Sequence, residues 1–337
     1  MSLNNVEDIA KYIVSNGKGI LAADESNPTC GKRFDSIGVE STEENRRDYR
    51  ELLFRSKGIK GNIGGVILFD ETFRQKAADG TPLLEIINSQ EALPGIKVDK
   101  GLQSIDDTDE KITQGLDGLN ERLSEYSSLG AKFTKWRAVI NISENFPTQK
   151  CIEMNMDSLA KYAKLAQENH MVPIVEPEVL MDGDHSIDKC FDASLRALKS
   201  LFENLDKQNV NIRGTLLKPN MVTSGSSCSH QANINQVAEK TIECLLTGVP
   251  SNLPGITFLS GGQSDILATA HLDAMNKIGG FNWKLSFSYG RALQAAALKA
   301  WSGKSENAFI AQDELSHRAK MNKLAAEGLW SEELEDR

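Results

Sequence analysis

The chain has 337 residues, of which 40% are hydrophobic and 25% are charged, a mixture typical of an ordinary globular protein. Its 38 basic and 47 acidic residues give a formal net charge of −9, which argues against a general binder of nucleic-acid backbones but allows a local cationic pocket. No apolar run is long enough to cross a membrane, so we expect neither nucleic acid nor membrane as a partner.

The N-terminal stretch MSLNNVEDIAKYIV resembles neither a signal peptide nor a transit peptide, because Glu7 and Asp8 precede only a few apolar residues. The cysteines are scattered, odd in number and without a C-x-x-C pair, which indicates reduced thiols. They are Cys30, Cys151, Cys190, Cys228 and Cys244. We therefore expect a cytoplasmic protein, or one of the plastid stroma if a transit peptide has been removed.

Eight short apolar runs recur along the chain, and a helical pattern follows each. They are GILAAD, GGVILF, GIKVDK, FTKWRAVI, VPIVEPEV, GTLLKPNM, ITFLSGG and WKLSFSY, starting at residues 19, 64, 95, 133, 172, 214, 256 and 283. The spacing leaves room for a crossover helix after each run, so the strands are predicted to be parallel.

The segments between the runs have helical features of their own. In the first helix, expected within residues 1–18, one apolar face comprises Val6, Ile9, Ala10, Ile13 and Val14. Ser41 and Glu44 have the spacing of a capping box at the start of STEENRRDYRELLF. A later helix has an apolar face formed by Phe191, Leu195, Leu198, Phe202 and Leu205.

Eight strand–helix units predict an α/β fold, a (β/α)8 TIM barrel, with residues 1–337 as a single domain and 292–337 as a C-terminal helical segment. The alternative is a doubly wound open sheet, which usually carries a glycine-rich phosphate loop after its first strand. GILAADESN is not such a loop.

Charged residues stand at the carboxyl ends of five predicted strands, where buried strands should be apolar. They are Asp24, Lys97, Asp99, Lys135, Arg137, Glu176, Glu178 and Lys218. One such charge is more often a solvated loop residue, but eight together indicate the rim where barrel enzymes hold their active sites. Residues two apart share a face, so each closely spaced pair can point into one pocket.

Lys218 ends its strand as a candidate nucleophile. A lysine amine attacks a carbonyl only when it is unprotonated, and a second cation together with desolvation favours that state. Lys135, two strands away around the barrel, is the expected neighbour. Glu176 is placed to move protons and Glu178 to hold the lysines together, so the pattern predicts Schiff-base chemistry.

The last two strands are followed by candidate anion-binding turns. Ser260, Gly261 and Gly262 allow a close approach of backbone to an anion. Gly290 and Arg291 stand at the start of the next predicted helix, whose backbone N–H groups would join the guanidinium in binding phosphate. Phosphate sites are frequent after strands seven and eight of this architecture.

Several motifs resemble the class I fructose-bisphosphate aldolases in order and spacing, from about residue 5 to about residue 315. They are GKGILAADES, STEENRR, GIKVDKG, TKWR, PIVEPE, LLKPNMV, FLSGGQS and FSYGRAL. DESNPTCGKR is closest in wording to plastid and bacterial members. The resemblance implies reversible cleavage of fructose 1,6-bisphosphate to dihydroxyacetone phosphate and glyceraldehyde 3-phosphate.

The same resemblance implies roles for the site residues. Lys218 would form the Schiff base, Asp24 would act on the C4 hydroxyl, and Glu176 would be the main acid and base. Lys135 and Glu178 would support Glu176. The C1 phosphate would contact Ser260, Gly261, Gly290 and Arg291, with Gly262 beside them. The C6 phosphate would contact Lys97, Ser26 and Arg33. Arg137 would contribute to the polar lining of the cleft. Neither a metal nor a cofactor is implied, because the iminium itself is the electron sink.

Two positions depart from the family pattern. Thr29 replaces a serine of animal-type members and keeps the hydroxyl. The C-terminal stretch AAEGLWSEELEDR lacks the terminal tyrosine of a longer tail that assists proton exchange in many members, so no tail residue is assigned a role. The family is commonly tetrameric; we expect a homotetramer, with a dimer or monomer as alternatives.

The sequence also allows other functions. A metal-dependent aldolase would need clustered ligands, but His170, His185, His230, His271 and His317 show no H-x-x-H spacing and are expected on the surface or in the core. A transaldolase shares the lysine but not two phosphate sites. Sedoheptulose 1,7-bisphosphate is an alternative substrate, and a non-catalytic binding protein is the alternative from a different class.

Overall fold

The computed structural model describes residue 3 and residues 5–336. Its strands are β1 (Gly19–Ala23), β2 (Ile63–Leu68), β3 (Leu93–Lys97), β4 (Leu102–Ser104), β5 (Lys111–Thr113), β6 (Phe133–Ile140), β7 (Val172–Val179), β8 (Leu216–Leu217), β9 (Gly255–Phe258) and β10 (Lys284–Tyr289). All except β4 and β5 form a closed barrel in the order β1-β10-β9-β8-β7-β6-β3-β2, with every neighbouring pair parallel. The predicted (β/α)8 barrel is confirmed.

The helices surround the barrel and cover one of its ends. They are α1 (Val6–Ile13), α2 (Asn27–Asp35), α3 (Glu43–Phe54), α4 (Asp70–Arg74), α5 (Leu83–Ser89), α6 (Leu119–Ser128), α7 (Gln149–Glu168), α8 (Ile187–Lys207), α9 (Ile234–Gly248), α10 (Asp265–Ile278), α11 (Arg291–Trp301) and α12 (Ala308–Ala326). Short 3-10 turns lie at Ser15–Gly17, Ile212–Gly214, Ser305–Asn307 and Glu332–Glu335. None of the helices described could span a membrane.

Helix α1 packs against the amino-terminal ends of the strands. Its buried residues Ile9, Ala10 and Ile13 share one apolar cluster with the strand residues at the start of the barrel. Gly64 permits this contact, because a Cβ there would lie 2.0 Å from the carbonyl oxygen of Ile13. This end is therefore closed, and the opposite end, where the charged residues follow the strands, is available for a site.

The start of α3 differs from the sequence-based expectation. The cap is Thr42, whose hydroxyl accepts a hydrogen bond from the backbone N–H of Asn45 at 3.1 Å. The predicted capping box at Ser41 and Glu44 is therefore wrong by one residue. Both Ser41 and Thr42 satisfy the preference for a hydroxyl at the cap, so composition alone does not distinguish them.

Candidate active site

A cleft of about 1460 Å³ opens at the carboxyl ends of the barrel strands. Of the fourteen residues assigned to the site from the sequence, thirteen line it: Asp24, Ser26, Arg33, Lys97, Lys135, Arg137, Glu178, Lys218, Ser260, Gly261, Gly262, Gly290 and Arg291. The fourteenth, Glu176, is buried and contacts two of the lining lysines. The fold thus brings together residues that lie on or follow seven of the eight barrel strands.

Two lysines and two carboxylates form a buried cluster at the floor of the cleft. Lys135 Nζ lies 2.7 Å from Asp24 Oδ2 and 3.4 Å from Glu176 Oε2, and Lys218 Nζ lies 3.1 Å from Glu176 Oε1. Because β7 lies between β6 and β8, Glu176 reaches one lysine on each neighbouring strand. One carboxylate therefore connects the two cations.

The charges in this cluster control each other's protonation. Burial alone would raise the pKa of Asp24 and of Glu176, but the nearby Lys135 and Lys218 lower both pKa values below their usual range. Burial alone would lower the pKa of Lys135, but Asp24 and Glu176 raise it above its usual value. Asp24 and Glu176 are therefore carboxylates at neutral pH, and Lys135 is a cation.

The position of Lys218 follows from its short strand. Its backbone N–H donates to the carbonyl of Val175 at 2.9 Å, and Pro219 follows immediately. β8 ends at Leu217, and Lys218 is the next residue of the chain and lines the cleft. Lys218 is 5% exposed, which leaves its amine accessible only from the cleft.

One end of the cleft presents hydrogen-bond donors without partners. Within residues 5–336, no acceptor contacts the backbone N–H of Gly261 or Gly262. Both glycines have positive φ, 56° and 91°, and a Cβ at Gly262 would lie 3.2 Å from Nη2 of Arg291. Arg291 is exposed, begins α11 and forms no ion pair with any described residue. This end can accept an anion without first losing a contact.

At the other end the cations already have carboxylate partners. Lys97 Nζ donates to the carboxylate of Asp99 and, at 3.0 Å, to its carbonyl oxygen. Arg137 forms an ion pair with Glu178, and Glu178 forms no ion pair with a lysine among the described residues. The hydroxyls of Ser26 and Thr29 are 3.1 Å apart.

Arg33 occupies an intermediate position. It forms an ion pair with Glu25, and its Nη2 would lie 3.5 Å from a Cβ placed on Gly290. Arg33 is therefore close to the end of the cleft formed by Gly261, Gly262 and Arg291. The family resemblance had instead assigned it, with Lys97, to the C6 phosphate.

Sequence reasoning missed the group of residues that holds Glu25. Arg50, only 2% exposed, forms an ion pair with Glu25, and Gln294 Nε2 donates to Glu25 Oε1 at 3.1 Å. Gln294 Nε2 also donates to the carbonyl of Ala22 at 2.7 Å, which fixes the end of β1 beside Asp24. An arginine in a helix is usually solvated, so only the acidic pair Asp24–Glu25 at a strand end could have indicated this arrangement.

Histidines and cysteines take no part in the cleft as described. His185 and His271 are buried, His170 and His230 are exposed, and His317 is partly buried, as expected for surface or core residues. All five cysteines are unpaired. Among residues 3 and 5–336, no group of three or more histidine, cysteine and acidic residues could hold a metal ion.

Comparisons with known proteins agree with this geometry. A family model described as class-I fructose-bisphosphate aldolase matches residues 5–337. A probable fructose-bisphosphate aldolase class 1 of Xanthomonas axonopodis pv. citri is 53% identical over 332 residues, covering 98% of this chain and 99% of the relative. The muscle-type fructose-bisphosphate aldolase of Lethenteron camtschaticum is 51% identical over 324 residues, covering 95% and 89%.

A solved structure is also similar along almost the whole chain. It is the fructose-bisphosphate aldolase of Plasmodium falciparum in complex with TRAP and a small molecule inhibitor, with a TM-score of 0.95 and 47% identity. The alignment covers 97% of this chain and 95% of that one. The chain therefore belongs to the class-I fructose-bisphosphate aldolase family, whose members are lyases.

Proposed function

We propose that this protein catalyses the reversible aldol cleavage of fructose 1,6-bisphosphate through a Schiff base on Lys218. The observation that carries the proposal is the buried contact between Lys218 Nζ and Glu176 Oε1, 3.1 Å, at the floor of a cleft with cations at both ends. A lysine beside a carboxylate supplies a nucleophile and a group that takes up and returns its protons.

Imine formation begins when the unprotonated amine of Lys218 attacks the ketone carbon C2. Glu176 moves the protons that convert the carbonyl oxygen into a hydroxyl and then release it as water, which leaves an iminium. Its Oε2 forms no hydrogen bond with a described residue, although Lys135 Nζ lies 3.4 Å away, and this oxygen would accept the proton. Lys135 keeps its charge next to Glu176 and so restores the carboxylate after each transfer.

Carbon–carbon cleavage follows from the iminium. The carboxylate of Asp24 takes the proton of the C4 hydroxyl, the C3–C4 bond breaks, and its electron pair moves to the iminium to give an enamine. Glyceraldehyde 3-phosphate leaves as the aldehyde. Protonation of the enamine at C3 and hydrolysis of the imine then release dihydroxyacetone phosphate and the free Lys218. The iminium serves as electron sink, so we propose neither a metal nor another cofactor.

The two ends of the cleft would hold the two phosphates. The C1 phosphate is assigned to the backbone and side chains of Ser260, Gly261, Gly262, Gly290 and Arg291. The C6 phosphate is assigned to Lys97 and Ser26, with Arg33 able to serve either end from its place near Gly290. Arg137 would contribute to the polar lining and Glu178 would hold it there.

A second substrate is compatible with the same site. Lys100, Arg74 and Arg122 also line the cleft, where Arg74 forms ion pairs with Asp70 and Glu125. Sedoheptulose 1,7-bisphosphate, which is one hydroxymethylene longer and also carries a phosphate at each end, is the alternative ketose.

The wider setting is proposed from family membership alone. We propose that residues 1–337 act as one catalytic domain, that no residue of the C-terminal stretch AAEGLWSEELEDR has a catalytic role, and that the chain assembles as a homotetramer. The cytoplasm, with a place in glycolysis or gluconeogenesis, is the proposed setting, and the plastid stroma with the Calvin cycle is the alternative. Native mass spectrometry would test the assembly.

Reductive trapping tests the central proposal. The protein is incubated with dihydroxyacetone phosphate, borohydride and excess EDTA, and its peptides are analysed by mass spectrometry. We expect a reduced adduct on the peptide that contains Lys218, and none on that peptide in a Lys218→Met variant of unchanged fold. A folded wild-type protein without an adduct, or with the adduct on another lysine, would contradict the assignment.

A further inference from the structure

Behind the loop Ser260–Gly262 lies a buried pair of side chains, Gln263 and His271. Gln263 is 8% exposed and His271 is 3% exposed, and neither lines the cleft. Their side chains meet at 2.6 Å, His271 Nδ1 to Gln263 Oε1. An amide oxygen only accepts, so His271 carries its proton on Nδ1 and donates.

This contact fixes the orientation of the Gln263 amide. With its oxygen held by His271, the amide nitrogen Nε2 faces the opposite way and donates to the carbonyl oxygen of Ser260 at 3.0 Å. The backbone N–H of Gln263 donates to the same carbonyl at 3.0 Å. Two donors from one residue therefore hold the Ser260 carbonyl on the buried side of the loop.

The planarity of the peptide bond carries this constraint into the cleft. In a trans peptide unit the C=O and the following N–H point in opposite directions. Because the Ser260 carbonyl faces Gln263, the Gly261 N–H points away from the buried pair. Gly261 lines the cleft, and its N–H has no acceptor among the residues that the structure describes.

We propose that Gln263 and His271 are positioning residues, which hold the Ser260–Gly261 peptide in the orientation that presents its N–H to an anion in the cleft. The anion is the phosphate next to the reacting carbonyl, so this inference rests on the proposed function. Burial lowers the pKa of His271 to about 4, which keeps the ring neutral and its Nδ1–H in place at neutral pH. Gln263 Nε2 also lies 3.5 Å from Met221 Sδ, three residues beyond Lys218.

The proposal predicts a loss specific to phosphate. His271→Leu removes the donor that orients the amide, and Gln263→Met removes both amide contacts while keeping the length of the side chain. For each variant, we expect the dissociation constant of inorganic phosphate to rise about tenfold, as for the loss of one well-oriented hydrogen bond to a charged group. His271→Asn places an amide N–H near the position of Nδ1 and should restore binding to within about threefold.

Trapping with two ketones separates positioning from a general structural role. Borohydride trapping should need about tenfold more dihydroxyacetone phosphate in His271→Leu than in wild type, while the requirement for unphosphorylated dihydroxyacetone changes less than about twofold. An equal loss for both ketones, or unchanged phosphate binding in folded His271→Leu and Gln263→Met, would overturn the proposal.

Failure of the proposed function is distinguishable from failure of this inference. If the wild-type protein traps neither ketone on Lys218, the aldolase assignment fails, and the titration with inorganic phosphate then decides the role of the pair independently. If His271→Leu does not fold, Gln263→Met provides the variant that loses phosphate binding and His271→Asn the variant that keeps it, since neither adds a charge or bulk to the buried site.

Discussion

The cleft consists of two parts that differ in how their charges are satisfied. In the paired part, each cation contacts a carboxylate: Lys135 and Lys218 with Asp24 and Glu176, Lys97 with Asp99, and Arg33 with Glu25. In the open part, which consists of Ser260, Gly261, Gly262, Gly290 and Arg291, the glycine N–H groups and the guanidinium have no partner among the described residues. The paired part is prepared to move protons, and the open part is prepared to receive an anion.

The difference has an energetic basis. A buried charge is tolerated when an opposite charge compensates its desolvation, so each member of the paired part depends on the others. Arg291 is exposed and hydrated, so it needs no partner until an anion arrives. Changes in the paired part should therefore alter stability as well as activity, whereas changes in the open part should alter binding alone.

The largest expected effect is on stability, in the paired part. Lys135→Met leaves the buried carboxylates of Asp24 and Glu176 with less compensation, so we expect the free energy of unfolding to fall by about 3 kcal/mol. Urea unfolding at neutral pH measures it. The matched control is Lys161→Met, which removes an exposed ion pair with Asp157 and should cost less than about 0.5 kcal/mol. Equal losses in the two variants would show that the buried ion pairs contribute no more to stability than an exposed one.

The second prediction concerns the pH dependence of stability. The folded-state pKa values of Asp24 and Glu176 are lower than their unfolded values, 3.8 and 4.5, so their contribution is present above those values and is lost as pH falls through the folded-state pKa. We expect a loss on the order of 2 kcal/mol between about pH 5 and pH 2. Lys135 has a raised folded-state pKa, so its contribution disappears only above its unfolded value of 10.5.

Lys135→Met provides the control for this pH dependence. Without the cation, the pKa values of Asp24 and Glu176 move upward and the acid-induced loss should become smaller. Urea unfolding from about pH 7 to about pH 2 in both proteins gives the comparison. Parallel curves would show that other carboxylates cause the acid sensitivity.

The third prediction belongs to the open part. Arg291→Ala should lower kcat/KM for fructose 1,6-bisphosphate about thirtyfold, roughly 2 kcal/mol of lost charge-assisted binding, while the free energy of unfolding changes by less than about 0.5 kcal/mol. Arg196→Ala, at an exposed arginine outside the cleft, is the matched control and should leave both quantities unchanged. A large loss of stability in Arg291→Ala would place Arg291 with the paired part.

The sequence predicted the barrel and its rim because both depend on short-range patterns. Strand runs with alternating helices indicate parallel topology, and charged residues at the carboxyl ends of otherwise apolar runs indicate the rim. Gln263 and His271 were not assigned a role, because their contact depends on the placement of α10 against the loop that precedes it. Arg50 was missed for the same reason: its partner Glu25 is 25 residues away, and only the packing of α3 brings them together.

The smallest expected effect comes from a substitution at Asp99, the carboxylate partner of Lys97. It tests the comparison most directly, because it leaves Lys97 without an ion pair, as Arg291 is in the open part. Asp99→Asn removes the charge that contacts Lys97 but keeps an acceptor oxygen, so a phosphate at this end no longer has to displace a carboxylate. We expect KM for fructose 1,6-bisphosphate to fall about threefold, as for a partly exposed ion pair, and KM for fructose 1-phosphate to stay the same because it has no C6 phosphate.

The matched control is Asp107→Asn, which removes an equal charge from an exposed residue. Its positive φ of 57° is tolerated by asparagine, so neither KM should change. An unchanged or higher KM for the bisphosphate in Asp99→Asn would mean that Asp99 orients Lys97 toward the phosphate instead of competing for it, and the paired end would then be as ready for an anion as the open one.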